Sequence, residues 1–211
     1  MGRFGFRCVW GAAVLCTGVG VGCADASEGS NPGKGVEAFV TPLTGIYDIA
    51  SHTENLEGCD AEGDSVLGDA SERFMVVRLK KSQLFGLPVT AASAISCGTV
   101  EVCRAIAMGD EDAEAQSMDF WFAFTQKVGD ALQGEESSAG GAGFQETTCD
   151  AVRTIRQLRG TAAESVTIEV ERQRAVVTRG TDEFCDFDSP KLTDAPCAEF
   201  EVVRGTFREA I

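Results

Sequence analysis

A chain of 211 residues has room for one domain of ordinary size with an export segment and a linker, and is short for two independent cores. Its formal net charge of -15 makes an acidic field that repels phosphate backbones and anionic headgroups. That argues against nucleic acid as a partner and leaves room for a cationic one. The carboxylates are spread along the chain, as on a solvated surface.

Residues 1–22 read as a signal peptide. Arg3 and Arg7 precede an apolar run from Cys8 to Cys16, which passes into the small residues of Thr17 to Gly22; this is the order of a charged, an apolar and a processing region. The run falls short of the roughly 20 apolar residues that a membrane span needs. Loss of the two arginines takes the net charge from -15 to -17.

At the processing site Gly20-Val21-Gly22-Cys23 resembles the lipobox of bacterial lipoproteins, with Gly20 standing where Leu is usual. The resemblance implies cleavage before Cys23, acylation of its sulfur with a palmitate-type chain, and a lipid anchor in the bacterial cell envelope, at the outer membrane or cell surface. Ala24-Asp25-Ala26 offers a second site of the A-x-A type, which would instead release a secreted chain beginning at Ser27.

Residues 23–42 have the composition of a flexible tether, with a random-coil reach of roughly 20 to 25 Å. The domain is expected over 43–211. Its first strand contains Ile46-Tyr47-Asp48-Ile49, and Met75, Val77 and Leu79 mark a second. Met118, Phe120, Phe122 and Phe124 alternate with Asp119, Trp121, Ala123 and Thr125, and Val166, Ile168 and Val170 with Thr167, Glu169 and Glu171; such period-two patterns predict strands. Further strands are predicted at 99–105, 175–178 and 200–207, the last switching register around Gly205. The polar stretches 109–116 and 134–143 read as loops. Cys149, Val152, Ile155 and Leu158 recur every third residue ahead of Gly160, which predicts one short helix.

Nine cysteines less Cys8, Cys16 and Cys23 leave Cys59, Cys97, Cys103, Cys149, Cys185 and Cys197. They lack the paired spacing of a zinc site, and an exported chain meets an oxidising compartment, so three disulfides are expected. The turn residues between Cys185 and Cys197 favour a bridge between those two. The expected fold is therefore all-β, an antiparallel barrel or sandwich of about seven to nine strands with at most one short helix, and a monomer. A barrel is preferred because closure removes exposed edges. Thr44-Gly45-Ile46-Tyr47 resembles the Gly-x-Trp opening of lipocalin-type barrels, with Tyr in place of Trp, and the resemblance implies that Arg204 in the last strand stacks on that aromatic.

No catalytic constellation is legible. The single histidine, His52, reads as solvent-exposed, and one His builds neither a His-rich zinc site nor a facial triad. There is no nucleophile elbow and no phosphate-binding glycine loop, so neither catalytic residues nor a cofactor are expected. The acidic groups Asp60-Glu62-Asp64 and Asp182-Glu183-Asp186-Asp188 lack calcium-loop spacing, and no metal site is expected. The row Phe120, Trp121, Phe122 and Phe124 is the candidate lining for a small apolar ligand. The expectation is a lipid-anchored binding or envelope-structural module, with a carboxylate-based hydrolase of cell-surface polymers as the alternative.

Overall fold

The computed structural model describes residues 32–59, 62–67, 73–84, 87–116, 120–140, 148–178 and 195–211. Residues 1–22, expected as a signal peptide, Cys23 and the acidic group 182–188 lie outside them. Alternating apolar residues can all be buried only if one face of a sheet turns inward, and here ten antiparallel strands do so. They are β1 (Gly45–Asn55), β2 (Asp64–Ser65), β3 (Phe74–Leu84), β4 (Leu87–Cys97), β5 (Trp121–Phe124), β6 (Gln126–Val128), β7 (Ala131–Gly140), β8 (Thr148–Thr161), β9 (Ser165–Thr178) and β10 (Cys197–Glu209). The order is β5-β4-β3-β1-β10-β9-β8-β7-β6, with β2 on the side of β1.

The two ends of this sheet meet in a nearly closed barrel. The Thr125 amide, between β5 and β6, donates to the Gln133 carbonyl of β7 at 2.9 Å. Gly134 makes the approach possible: a Cβ there would lie 1.9 Å from the Ala123 carbonyl oxygen. One chain segment thus pairs with β4 through β5 and with β7 through β6.

One end of the barrel is plugged. Helix α1 (Pro32–Val40) buries Val36 and Val40, one turn apart, and a 3-10 turn (Thr41–Leu43) adds Leu43. These pack with Tyr47, Met75, Val77, Phe124, Leu132, Leu158 and Ile168. The fully buried Tyr47 hydroxyl donates to the Leu43 carbonyl at 2.6 Å, and burial pushes its pKa up to about 12. The segment expected as a tether to residue 42 therefore contains a helix and a 3-10 turn over 32–43, because Val36 and Val40 have a helical spacing that seals the core.

Two short helices lie on the outer face: α2 (Val100–Ala107) and α3 (Glu111–Gln116). They stand where a strand at 99–105 and a loop at 109–116 were predicted. The Thr99 hydroxyl caps α2 by accepting from the Val102 amide, and Cys103 and Ile106, three residues apart, pack on Ile46, Val76 and Ile95. Arg78 of β3 holds both helices, donating to the Ile106 carbonyl and to Glu114. A helix docked on a sheet exterior tolerates the β-branched residues that suggested a strand.

The predicted helix at 149–158 is strand β8. It is paired along its length with β9 on one side and with β7 on the other, and the three-residue spacing does not define a face: Val152 and Leu158 share the inward parity, opposite Arg174 and Ile168, while Ile155 has the outward one. Residues 134–140, read as part of a loop, complete β7. Strand β10 does not switch faces at Gly205; Val203 and Phe207 both join the interior, and Gly205 leaves room for Met75 and Tyr47. Tyr47 meets Phe207 edge-on at 5.6 Å. Arg204 does not stack on Tyr47, because it lies on the outer face, where it pairs with Glu62.

Two disulfides are described. Cys97–Cys103 joins β4 to α2, and Cys59–Cys197 joins the segment after β1 to the start of β10, with Cα separations of 5.5 and 5.8 Å. Cys197 therefore pairs with Cys59 and not with Cys185, which lies outside the described residues, as does the Cys149 side chain. The Cys59–Cys197 link spans 138 residues, and a loop that long gains about 5 kcal/mol on the chain-entropy model.

Closure at the seam yields a direct test. Gly134→Ala is expected to lower stability by about 1 to 3 kcal/mol or more, since backbone rather than a flexible side chain must move. A urea titration showing an unchanged midpoint would contradict this seam.

Candidate functional site

The end of the barrel opposite the α1 plug is polar, and a bulge in β1 makes it so. Tyr47 and Ile49 face inward, and period-two alternation would next bring in Ser51 and Thr53. The pairing with β10 instead steps from Ile49↔Gly205 to Ser51↔Arg204, skipping Ala50. Ser51 turns out with Arg204, while His52 and Glu54 turn in, opposite Val203 and Glu201. One extra residue reverses the facing of everything after it.

His52 is consequently buried, at 4 % exposure, and the expectation of a solvent-exposed imidazole is overturned. Its Nε2 lies 3.0 Å from Oε1 of Glu201, itself 3 % exposed. Arg172 of β9 donates to Oε2 of Glu201 at 2.8 Å and lies 3.6 Å from Glu199, which also takes Arg174 at 2.5 Å. Burial desolvates the Glu201 carboxyl and works to raise its pKa. The hydrogen bond from His52 and the charge and hydrogen bond of Arg172 outweigh that, and the net shift is downward.

The aromatic row divides by parity. Phe120, Phe122 and Phe124 face inward, whereas Trp121 is on the outer face, 42 % exposed, and leaves the candidate lining. Phe124 belongs to the sealed core. Phe120 and Phe122 stack with centroids 5.0 Å apart, and the His52 ring meets Phe120 edge-on at 5.9 Å. Ser96 of β4 fixes Phe120 from both sides, accepting from its amide at 3.1 Å and donating its own amide to the Phe120 carbonyl at 3.1 Å.

Across from Gly134, the guanidinium of Arg156 lies 6.0 Å from the Phe122 ring and pairs with Glu136 at 2.7 Å. Its Nε is buried and has no hydrogen-bond partner among the described residues. Farther out, Asp150, Val152, Arg174 and Val176 line an open recess of about 320 Å³.

From the mouth inward the barrel thus presents a charged rim, a buried His–Glu–Arg network beside two stacked rings, and an apolar plug. Sequence reasoning found Phe120 and Phe122 by alternation and missed His52, Glu54, Glu201, Arg172 and Arg156. The one usable signal was that four charged groups, Glu199, Glu201, Arg172 and Arg174, continue the inward parity of Val203 and Val170. Glu62 pairs with Arg204 outside, and Asp64 is exposed on β2; Asp60 lies outside the described residues. Among the described residues no helix is long and apolar enough to cross a membrane.

Comparisons with protein-family models, with curated proteins and with solved structures find no match to this chain.

Removing one partner of a buried charge pair leaves the others uncompensated. Glu201→Gln is expected to cost about 3 kcal/mol. A carboxyl with a lowered native pKa stabilises the fold above its ordinary value of 4.5 and loses that contribution as the pH falls through the lower native value. Thermal unfolding against pH should therefore show an acid limb in the native protein that is flatter in Glu201→Gln; parallel limbs would refute the assignment.

Proposed function

We propose that the mature chain is an exported module, lipid-anchored through Cys23, whose barrel binds a small ligand at its polar end. The Phe120–Phe122 stack, with the buried Nε of Arg156 beside it that has no hydrogen-bond partner among the described residues, is the observation that carries the binding reading. Aromatic faces supply area for a flat ligand, and an N–H without an acceptor favours one that brings an oxygen or an anionic group. The acceptor-bearing ligand replaces the purely apolar one expected from the row of Phe residues, since Arg156, Arg172 and Arg174 line the same interior. The export signal, the acyl-cysteine motif and the disulfides support an envelope location, with free secretion after Ala26 as the alternative.

The hydrolase reading draws on Glu54 and Glu201, which face each other across β1 and β10. That chemistry needs carboxyl oxygens free to reach the substrate, and both oxygens of the buried Glu201 are taken, one by His52 and the other by Arg172. Binding is the better reading.

Two measurements test this. Mass spectrometry of the mature protein is expected to find an acylated N-terminal Cys23; an unmodified chain beginning at Ser27 refutes the anchor. An aromatic anion, 1-anilinonaphthalene-8-sulfonate, is expected to bind at one site per chain, about tenfold more weakly in Phe122→Ala and in Arg156→Gln, corresponding to roughly 1.4 kcal/mol. Binding unaffected by either substitution in folded protein would refute the site.

A further inference from the structure

We infer that the polar end of the barrel holds a divalent first-row transition ion, coordinated by His52, Glu54 and Glu201. This rests on reading that end as the binding site, and it names one component of what binds there.

His52 and Glu54 stand two residues apart on β1, so after the bulge at Ala50 both point inward, and Glu201 is the direct cross-strand partner of Glu54. One ligand atom from each, an imidazole nitrogen and two carboxylate oxygens, lies within 4.8 Å of the other two. An ion between three such atoms would be close to all of them. The positions are fixed by ladder hydrogen bonds on two paired strands, which spares the ordering cost that a loop site would impose.

Electrostatics points the same way. Two glutamates directly opposite each other on one face of a sheet repel, and here one of them is buried. Arg172 offsets part of that repulsion but is shared with Glu199. Counting Arg156 with its partner Glu136, the carboxylates Glu54, Glu136, Glu199 and Glu201 outnumber the guanidinium groups Arg156, Arg172 and Arg174 by one charge, which a divalent cation would reverse. Arg172 is also suitably placed as an outer partner: it holds Oε2 of Glu201 and leaves Oε1 directed at His52. Second partners of this kind orient ligating carboxylates.

The donor set selects the ion. A nitrogen with two carboxylate oxygens suits Zn²⁺, Mn²⁺, Fe²⁺ or Co²⁺, whereas Ca²⁺ and Mg²⁺ prefer oxygen alone. Coordination by Nε2 requires the imidazole proton on Nδ1, so the Nε2–H contact to Glu201 gives way to two bonds to the metal. Three protein donors leave further positions open for water or for an anionic group of a second ligand.

The test is titration of the mature protein, stripped with chelator, against Zn²⁺ and Mn²⁺ by calorimetry and against Co²⁺ by its visible absorption. One equivalent is expected to bind, with affinity reduced at least about tenfold in His52→Gln and in Glu54→Gln. Glu111→Gln, the same charge change on exposed α3, is expected to leave it unchanged. Should His52→Gln fail to fold, Glu54→Gln decides alone, in protein whose thermal unfolding matches the native. Absence of saturable binding of all three ions, or binding that the interior substitutions leave unaltered, overturns the inference. Binding of the aromatic anion by protein that takes up none of the three ions would overturn it while leaving the binding-module reading in place; failure of the anion and of the ions to bind would remove both.

Discussion

A carboxylate with almost no exposed surface has to be held by hydrogen-bond donors and positive charge, and the architecture of this barrel's polar end follows from how Glu201 meets that demand. Its two oxygens are taken by different strands, one by His52 of β1 and the other by Arg172 of β9. Because β10 lies between β1 and β9, this one side chain ties three neighbouring strands together across their interior face. Apolar packing does the same lower down, through Val203, Ile168 and Tyr47. Packing there is non-directional and tolerant of exchange, whereas the charged network admits few arrangements that leave no ion unpaired.

The division of the interior follows from features at the two ends. Helix α1 and the turn after it close one end with apolar side chains, and the Tyr47 hydroxyl, the polar group that enters this region, is satisfied by Leu43. The bulge in β1 starts the other regime. Without it His52 and Glu54 would face outward and Glu201 would keep only its arginine. The bulge sits opposite Gly205 and Arg204, in the part of β10 where the glycine already relaxes packing around Met75 and Tyr47. The seam at Gly134 makes a related use of a missing side chain: backbone comes close enough for Thr125 to close the circle.

Much of the antiparallel fold was legible because alternation is a local property. Val166, Ile168 and Val170 announce β9 without reference to anything else, and so do Met75 and Val77 for β3 and Phe122 and Phe124 for β5. The misreadings occur where local signal and tertiary demand diverge. Val100 and Val102 look like strand residues but belong to a helix, because Cys103 and Ile106 have apolar surface to cover on the sheet exterior and a disulfide to hold them there. The spacing from Cys149 to Leu158 looks helical, yet the segment is a strand because β9 offers it a complete ladder. The end of the supposed tether was read as flexible from Pro and Gly composition, while Val36 and Val40 had a core to enter.

The sequence by itself determined an exported-looking, acidic, cysteine-bearing chain with strands enough for a barrel, since charge, the order of the N-terminal residues and period two are all written within a few neighbouring positions. Only the tertiary structure decided which cysteines meet, which end of the barrel is sealed, and that the single histidine is buried against a glutamate 149 residues away. The reason is physical. Which face a side chain takes depends on the register with its partner strand, and one bulged residue, set by that pairing and invisible in β1 alone, turned His52 and Glu54 from the surface to the interior.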